Sequence, residues 1–321
     1  MKLNFRFVKE DFFLLLIFLL TSSFILLCSY FDDFGYLTPD SQVYLKAAQH
    51  LIENKRTYLG SAYSSGKSYL VTFPLGYPFL IYTLAKLTGF SVFWASKLLN
   101  ILFIALGLAV LRMLFSERAY IYALVFSFFS CLTIFTYTWS ESGFIFGLLW
   151  FSVSLYKFTK PSSDLLSISI SLFLSSFFLF IFRYIGAFNL GVIGLLCLYF
   201  LFVKKNRVKF FYSLAVLISS AILIGSYLYI NLSLTGAATG SRGPSLDSPS
   251  VFFTHLAASL LNELFFFTSI ISFLLKINPL KTFYPYLVFV FFFLIFRYRK
   301  KCLNLLICKI AVGLICIQSL V

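Results

Sequence analysis

The chain has 321 residues, 60% of them hydrophobic and 21% aromatic, with only 12% charged, against about a quarter charged in an ordinary soluble domain. This composition excludes a soluble globular domain, a disordered chain and a small disulfide framework. Repeated apolar runs, long enough for a hydrocarbon core of about 30 Å, point instead to helices that span a membrane. The formal charge of +15 suits cytoplasmic loops that meet anionic lipid, and no nucleic-acid partner is expected.

Lys2, Arg6 and Lys9 precede the first apolar run, 12–30. That run is too long for a signal-peptide core and lacks a small-x-small cleavage site, so it is expected to remain as a span with a cytoplasmic N-terminus. Further spans are expected at 91–114, 120–137, 144–158, 165–181, 185–203, 210–230, 284–296 and 302–320. The expected fold class is all-α, a polytopic helical integral membrane protein with about 8–10 transmembrane helices. The alternation places Arg112, Arg118, Lys157, Lys160, Lys204, Lys205, Arg207 and Lys209 in the cytoplasm and leaves only Arg183 on the short outer turns. The stretch 251–280, interrupted by His255, Asn262 and Glu263, is read as an outer surface segment, which puts Arg297, Arg299, Lys300 and Lys301 inside. The whole, 1–321, is expected to form a single transmembrane domain with outer loops at 31–90 and 231–283 and no separate soluble C-terminal domain. A bacterial cytoplasmic (inner) membrane is the expected location, because no eukaryotic retention signal is evident.

The six cysteines, Cys28, Cys131, Cys197, Cys302, Cys308 and Cys316, lie in or beside apolar runs without a CxxC or Cys/His grouping, so no disulfide or zinc site is expected. His50 and His255 are lone histidines, no metal ligand set is visible, and no cofactor is expected to be required. Of the 11 acidic residues, this topology puts Asp32, Asp33, Asp40, Glu53, Glu141, Asp247 and Glu263 outside, and Glu10, Asp11, Glu117 and Asp164 inside. Acids carry little topological information, so the outer excess suggests either a site that uses carboxylates or solvated loop acids.

The loop 31–90 is too long for a turn between two spans. Thr38-Pro39-Asp40 reads as an N-cap, a first-turn proline and a first-turn acid, and Val43, Tyr44, Ala47, Ala48, Leu51 and Ile52 follow at helical spacing. An amphipathic helix at the membrane surface is expected, whose dipole favours an ionised Asp40 by about 0.3–1 kcal/mol. Asp40 either complements that dipole or accepts a proton from a substrate hydroxyl or amine. Phe73-Pro74-Leu75-Gly76-Tyr77-Pro78 then bends the chain into a short apolar helix ending near Leu87, and Thr88-Gly89-Phe90-Ser91 turns it into the next span.

In this order, Pro39-Asp40-Ser41 through Tyr44 to Ala47-Ala48 and Leu51, then Pro74-Leu75-Gly76-Tyr77-Pro78, the chain resembles the GT-C superfamily of membrane glycosyltransferases. It looks closest to the branch of dolichyl-phosphate-mannose protein mannosyltransferases and bacterial aminoarabinose transferases. Ser140-Glu141-Ser142, Arg183-Tyr184-Ile185-Gly186, Thr235-Gly236 and Gly240-Ser241-Arg242-Gly243-Pro244-Ser245 extend the resemblance to about 12–245. It implies inverting transfer of a sugar from a polyprenyl-phosphate donor to a lipid, glycan or protein acceptor on the outer face of the bilayer. An aspartate in the first loop would be general base: Asp40 by position, with Asp32 and Asp33 as rivals.

Arg183 or Arg242 could neutralise charge developing on the lipid phosphate, or serve as a snorkelling and an ordinary loop arginine. Glu141 could position the acceptor or pair with an arginine, and Tyr184 shares the Arg183 motif as a substrate-binding candidate. The aromatic residues read as lipid-facing filler and interfacial belt, with none assigned to the sugar. The sequon at Asn231 reads as chance. A transporter or flippase of lipid-linked sugars would place ionisable groups at mid-membrane, whereas the expected spans are nearly free of charge. A structural or assembly membrane protein would need neither the long first loop nor its surface helices. Relatives in the resembled family usually continue further, which leaves a truncated, inactive form as another alternative.

Overall fold

The computed structural model describes residues 9–33, 35–54, 58–60, 67–69, 72–161 and 164–239. The expected spans 284–296 and 302–320, the surface stretch 251–280, the loop 231–283 beyond residue 239, and Arg242 lie outside the described residues. The chain divides into two compact units, Met1–Ser127 with Cys131–Ser241, and Phe128–Ser130 with Arg242–Val321. Every described residue outside Phe128–Ser130 belongs to the first unit.

The elements, in chain order, are α1 (Lys9–Phe31), α2 (Pro39–Asn54), β1 (Tyr58–Gly60), β2 (Lys67–Tyr69), α3 (Gly76–Thr88), α4 (Val92–Phe115), α5 (Ala119–Ala123), α6 (Phe129–Thr136), α7 (Glu141–Thr159), α8 (Leu165–Phe182), α9 (Phe188–Leu198) and α10 (Arg207–Thr235). Five helical runs among the described residues are long and apolar enough to cross a membrane: Asp11–Phe31, Val92–Ser127, Leu165–Phe182, Tyr184–Val203 and Arg207–Thr235. The protein is thus a helical, polytopic integral membrane protein.

The run Val92–Ser127 is not one straight rod. The chain reverses at Ser116 (φ 48°), Phe115 stacks on Tyr122 at 3.9 Å, and a Cβ on Gly107 would meet the Phe126 ring. Hence α4 makes the crossing and α5 folds back against it and α1. The continuous span expected over 120–137 is instead α5, a 3-10 turn at Leu124–Ser127, and α6. Non-helical backbone at membrane depth is tolerated where protein groups satisfy it, and side chains from α4 do so for the carbonyls where α6 ends. The span expected at 144–158 is α7, which carries Glu141, Ser142, Ser152, Ser154 and Lys157 and is largely buried among its neighbours; these polar residues make it less apolar than the five runs.

The first loop follows its expected plan. Thr38 caps α2 by accepting the Ser41 N–H at 3.2 Å, and Ser41, Tyr44, Ala47 and Ala48 form the buried face. Gly89 (φ 74°) ends α3 in the left-handed conformation and returns its N–H to Ala85 O, and the Ser91 side chain caps α4. The antiparallel ribbon, pairing Tyr58 with Tyr69, was not expected, because three-residue strands are too short to show an alternation.

Charged side chains mark the two ends of the bundle. At one end Arg112 of α4 pairs with Asp11 of α1, and Lys209 of α10 donates to the carbonyls of Phe158 (2.6 Å) and Lys160 (2.7 Å), capping α7 with a cation at its negative pole. At the other end the start of α7 meets the end of α8 through Glu141 and Arg183. This grouping agrees with the alternation read from the charges.

Close packing sets the loop helices on the bundle. A Cβ on Gly76 would lie 2.5 Å from the Ile181 carbonyl oxygen, so the start of α3 touches the end of α8 backbone to backbone. Gly191 of α9 has nothing within 4 Å of that position. Gly76→Ala is expected to destabilise the detergent-solubilised protein by about 1–3 kcal/mol, and Gly191→Ala to leave it unchanged or slightly more stable. Thermal melting of the two variants side by side checks this, and equal melting points would contradict it.

Candidate active site

The carboxylate-bearing end of the bundle is built on one side chain of α4. Asn100 is fully buried and uses all its hydrogen-bonding capacity. Its Nδ2 donates to the carbonyls of Phe135 and Tyr137, each at 2.8 Å. Its Oδ1 accepts the Tyr77 hydroxyl at 2.9 Å and the Ser142 hydroxyl at 2.7 Å. One turn earlier, Lys97, also fully buried, donates to the Thr136 carbonyl and sits 5.0 Å from the Phe93 ring centroid. Ser96 meets Thr138 at 2.9 Å. Carbonyls at the C-terminus of α6 have no partner within the helix, and α4 supplies one to each carbonyl from Phe135 to Tyr137. The chain can therefore leave the helix there and bend through 137–140 into α7.

That connection delivers Trp139, Ser140 and Glu141. The Trp139 Nε1–H donates to Thr38 Oγ1 at 2.8 Å, tying the cap of α2 to the α6–α7 connection. Ser140 and the Tyr44 hydroxyl lie 2.9 Å apart, both buried. Tyr44 packs edge-on against Tyr77 at 5.3 Å. Burial pushes the Tyr44 hydroxyl well above its ordinary range; the Ser140 hydrogen bond opposes this, Glu141 adds to it, Arg183 opposes it and Asp40 adds to it. Burial likewise raises Tyr77. Both phenols are neutral donors or acceptors at physiological pH.

Asp40, exposed in the first turn of α2, lies one helical turn before Tyr44, and Tyr44 meets Ser140 next to Glu141, the partner of Arg183, so these three candidates share one neighbourhood. The pair retains 25% exposure at Glu141 and 29% at Arg183. Tyr184 turns to α10, where its hydroxyl accepts the Asn231 Nδ2–H at 3.0 Å. The Tyr227 hydroxyl accepts the Leu75 N–H at 3.1 Å, linking α10 to the start of α3. Asp32 and Asp33 are exposed at the end of α1, and Asp32 Oδ1 accepts the Tyr36 N–H at 2.9 Å. Asn231 is buried, with Nδ2 also donating to Ala238 O at 3.1 Å, which gives the sequon position a structural role.

Sequence reasoning missed Lys97 and Asn100. The picture of spans nearly free of charge overlooked a lysine inside an apolar run, a rarity that is itself a signal. Among the described residues no group of three or more His, Cys, Asp or Glu side chains could hold a metal ion.

No family model and no curated protein matches the chain. Among solved structures it is similar to an S. cerevisiae protein O-mannosyltransferase complex bound to the sugar donor, with 16% identity over 72% of this chain and 34% of that chain and a TM-score of 0.48. The chain spans about a third of the length of that protein.

Asn100→Ala leaves two carbonyls, the Tyr77 hydroxyl and the Ser142 hydroxyl short of a partner. Its expected cost is about 1–3 kcal/mol, read as a lowered melting temperature, and an unchanged value would show that this network does not hold the α6–α7 connection. A double-mutant cycle on Glu141→Gln and Arg183→Gln is expected to give a coupling of about 0.5–3 kcal/mol; additive effects on melting would dissolve the pair.

Proposed function

We propose that the protein is a GT-C-type glycosyltransferase that moves a sugar from a polyprenyl-phosphate donor to a lipid, glycan or protein acceptor. In this reading it works on the outer face of a bacterial inner membrane, with a cytoplasmic N-terminus. The observation that carries it is the convergence around Tyr44 of Asp40, one helical turn before it, and of the Glu141–Arg183 pair, which follows Ser140, the hydrogen-bond partner of Tyr44, at positions belonging to the motifs that suggested the family.

The chemistry suits these groups. The acceptor hydroxyl oxygen forms the new bond to the anomeric carbon from the face opposite the lipid phosphate, whose bond to that carbon breaks, so configuration inverts. Asp40, solvent-facing on a capped helix N-terminus, takes the hydroxyl proton. The leaving polyprenyl phosphate carries away the bonding pair, and Arg183 stabilises that charge. Glu141 engages Arg183 through Nη1 and leaves further N–H donors of the guanidinium for phosphate oxygens. Tyr184, held by Asn231, lines the same end of the bundle, and Arg242 is assigned to the phosphate by the motif alone. Asp32 is the weaker base because one carboxylate oxygen already serves the Tyr36 N–H; Asp33 stays a rival. A divalent metal has no role in this scheme.

The buried Lys97 is what a transporter of lipid-linked sugars would offer in support. Its ammonium is bonded to the Thr136 carbonyl, which favours a structural duty over a translocation path.

Transfer from radiolabelled polyprenyl-phosphate sugars by purified protein tests the proposal. Asp40→Asn is expected to lower turnover by about 10²–10⁴-fold with folding retained, Asp33→Asn to leave it near wild type, and Arg183→Ala to impair it. Loss in Asp33→Asn but not Asp40→Asn would move the base. Donor binding without turnover, across a suitable acceptor panel, would overturn the transferase reading.

A further inference from the structure

Beside the α2 N-terminus stands an aromatic corner that the transfer chemistry of Asp40 and Arg183 does not use. Asp32 O accepts the Gly35 N–H at 2.9 Å and Asp32 Oδ1 the Tyr36 N–H, and both following residues take positive φ, 60° at Gly35 and 55° at Tyr36. For a bulky aromatic residue this conformation is uncommon and costs about 1–3 kcal/mol. Gly35 is pressed onto the Phe93 ring, where a Cβ would lie 2.9 Å from ring carbons. The strained turn aims the Tyr36 ring at Tyr137, centroids 5.3 Å apart and planes at 56°. Tyr137 is stacked on Trp139 at 4.4 Å and 16°.

Burial alternates along the α6–α7 connection: Thr138 and Ser140 are buried, while Tyr137 and Trp139 stay half-buried and stack on each other. The Trp139 edge is fixed by Thr38, two residues before Asp40. Two ring surfaces therefore meet at a locked angle, with the exposed Asp32, whose carboxylate accepts the Tyr36 N–H, beside them.

We propose that Tyr36, Tyr137 and Trp139 form a stacking subsite for a neutral hexopyranose ring, with Asp32 accepting hydrogen bonds from its hydroxyls. The axial C–H groups of a pyranose present a positive, apolar face that complements the negative face of an aromatic ring, and the hydroxyls around its rim need acceptors. Rings that only anchor a protein at the lipid interface gain nothing from backbone strain or from a carboxylate neighbour. The subsite rests on the glycosyltransferase reading only in being assigned to the acceptor sugar; sugar binding as such does not require turnover.

The full chain is placed in phosphatidylcholine nanodiscs, free of glycoside detergent, with Trp94→Phe and Trp150→Phe leaving Trp139 as the fluorophore. A panel of methyl hexopyranosides is then titrated. At least one is expected to shift Trp139 emission saturably, with Tyr137→Ala weakening the apparent Kd about tenfold or more and Tyr137→Phe restoring it to within about twofold. If the double-phenylalanine background does not fold, saturation-transfer NMR of the same glycosides on the wild-type chain, with and without Tyr137→Ala, gives the same comparison. No saturable signal, or a signal indifferent to Tyr137→Ala, overturns the subsite, as does quenching of Trp139 by brominated lipid without any effect of sugar, which would make the rings an interfacial anchor. Sugar binding without donor turnover would remove the transferase reading and keep the subsite; turnover without sugar binding would do the reverse.

Discussion

The main-chain carbonyls at the end of α6 must be satisfied in an interior that offers no water, and this requirement organises the described bundle. Lys97 and Asn100, one turn apart on α4, take the carbonyls of Thr136, Phe135 and Tyr137. An unpaired peptide group in hydrocarbon costs several kcal/mol, so α6 can end inside the bundle only where such donors wait. Asn100 also accepts from Tyr77 of α3 and Ser142 of α7. One amide thereby ties a crossing helix, a broken helix, a loop helix and the start of the next long helix.

From that anchor the carboxylate-bearing end follows. Because the chain leaves α6 at this point, Trp139 reaches the cap of α2 and Ser140 reaches Tyr44, while Glu141 at the head of α7 meets Arg183 at the tail of α8. Both ion-pair partners sit where α7 and α8 are held close by glycine, a Cβ on Gly143 being excluded by the Phe182 ring. The opposite end is held by simpler means, a pair between Asp11 and Arg112 and a lysine cap on α7.

Much of this was legible in the chain. The capped α2, with Tyr44, Ala47 and Ala48 on its buried face, the Gly89 stop and the Ser91 start were visible because caps and helical spacing are local properties of a few consecutive residues. The break over 120–137 was not, because an apolar run reads as continuous whether or not its helix is, and the partner that receives the end of α6 lies far upstream: the separation between Asn100 and Phe135 is 35 residues. Lys97 was in plain view but was averaged into the hydrophobicity around it. The aromatic corner was passed over for a related reason, since a chain with 44 Phe and 20 Tyr hides three functional rings among many structural ones.

The sequence alone determined that the chain is helical and membrane-embedded, where most of its helices start and stop, and that its first loop carries carboxylates on a capped helix. These rest on composition, on residue period and on groups a few positions apart. Only the tertiary structure decided that Glu141 pairs with Arg183 and shares a neighbourhood with Asp40, that Asp32 is engaged in its own turn, and that Tyr36 leans on Tyr137. Those relations join residues from 4 to more than 100 positions apart, and in an apolar bundle partners are chosen by which polar groups the packing leaves facing each other.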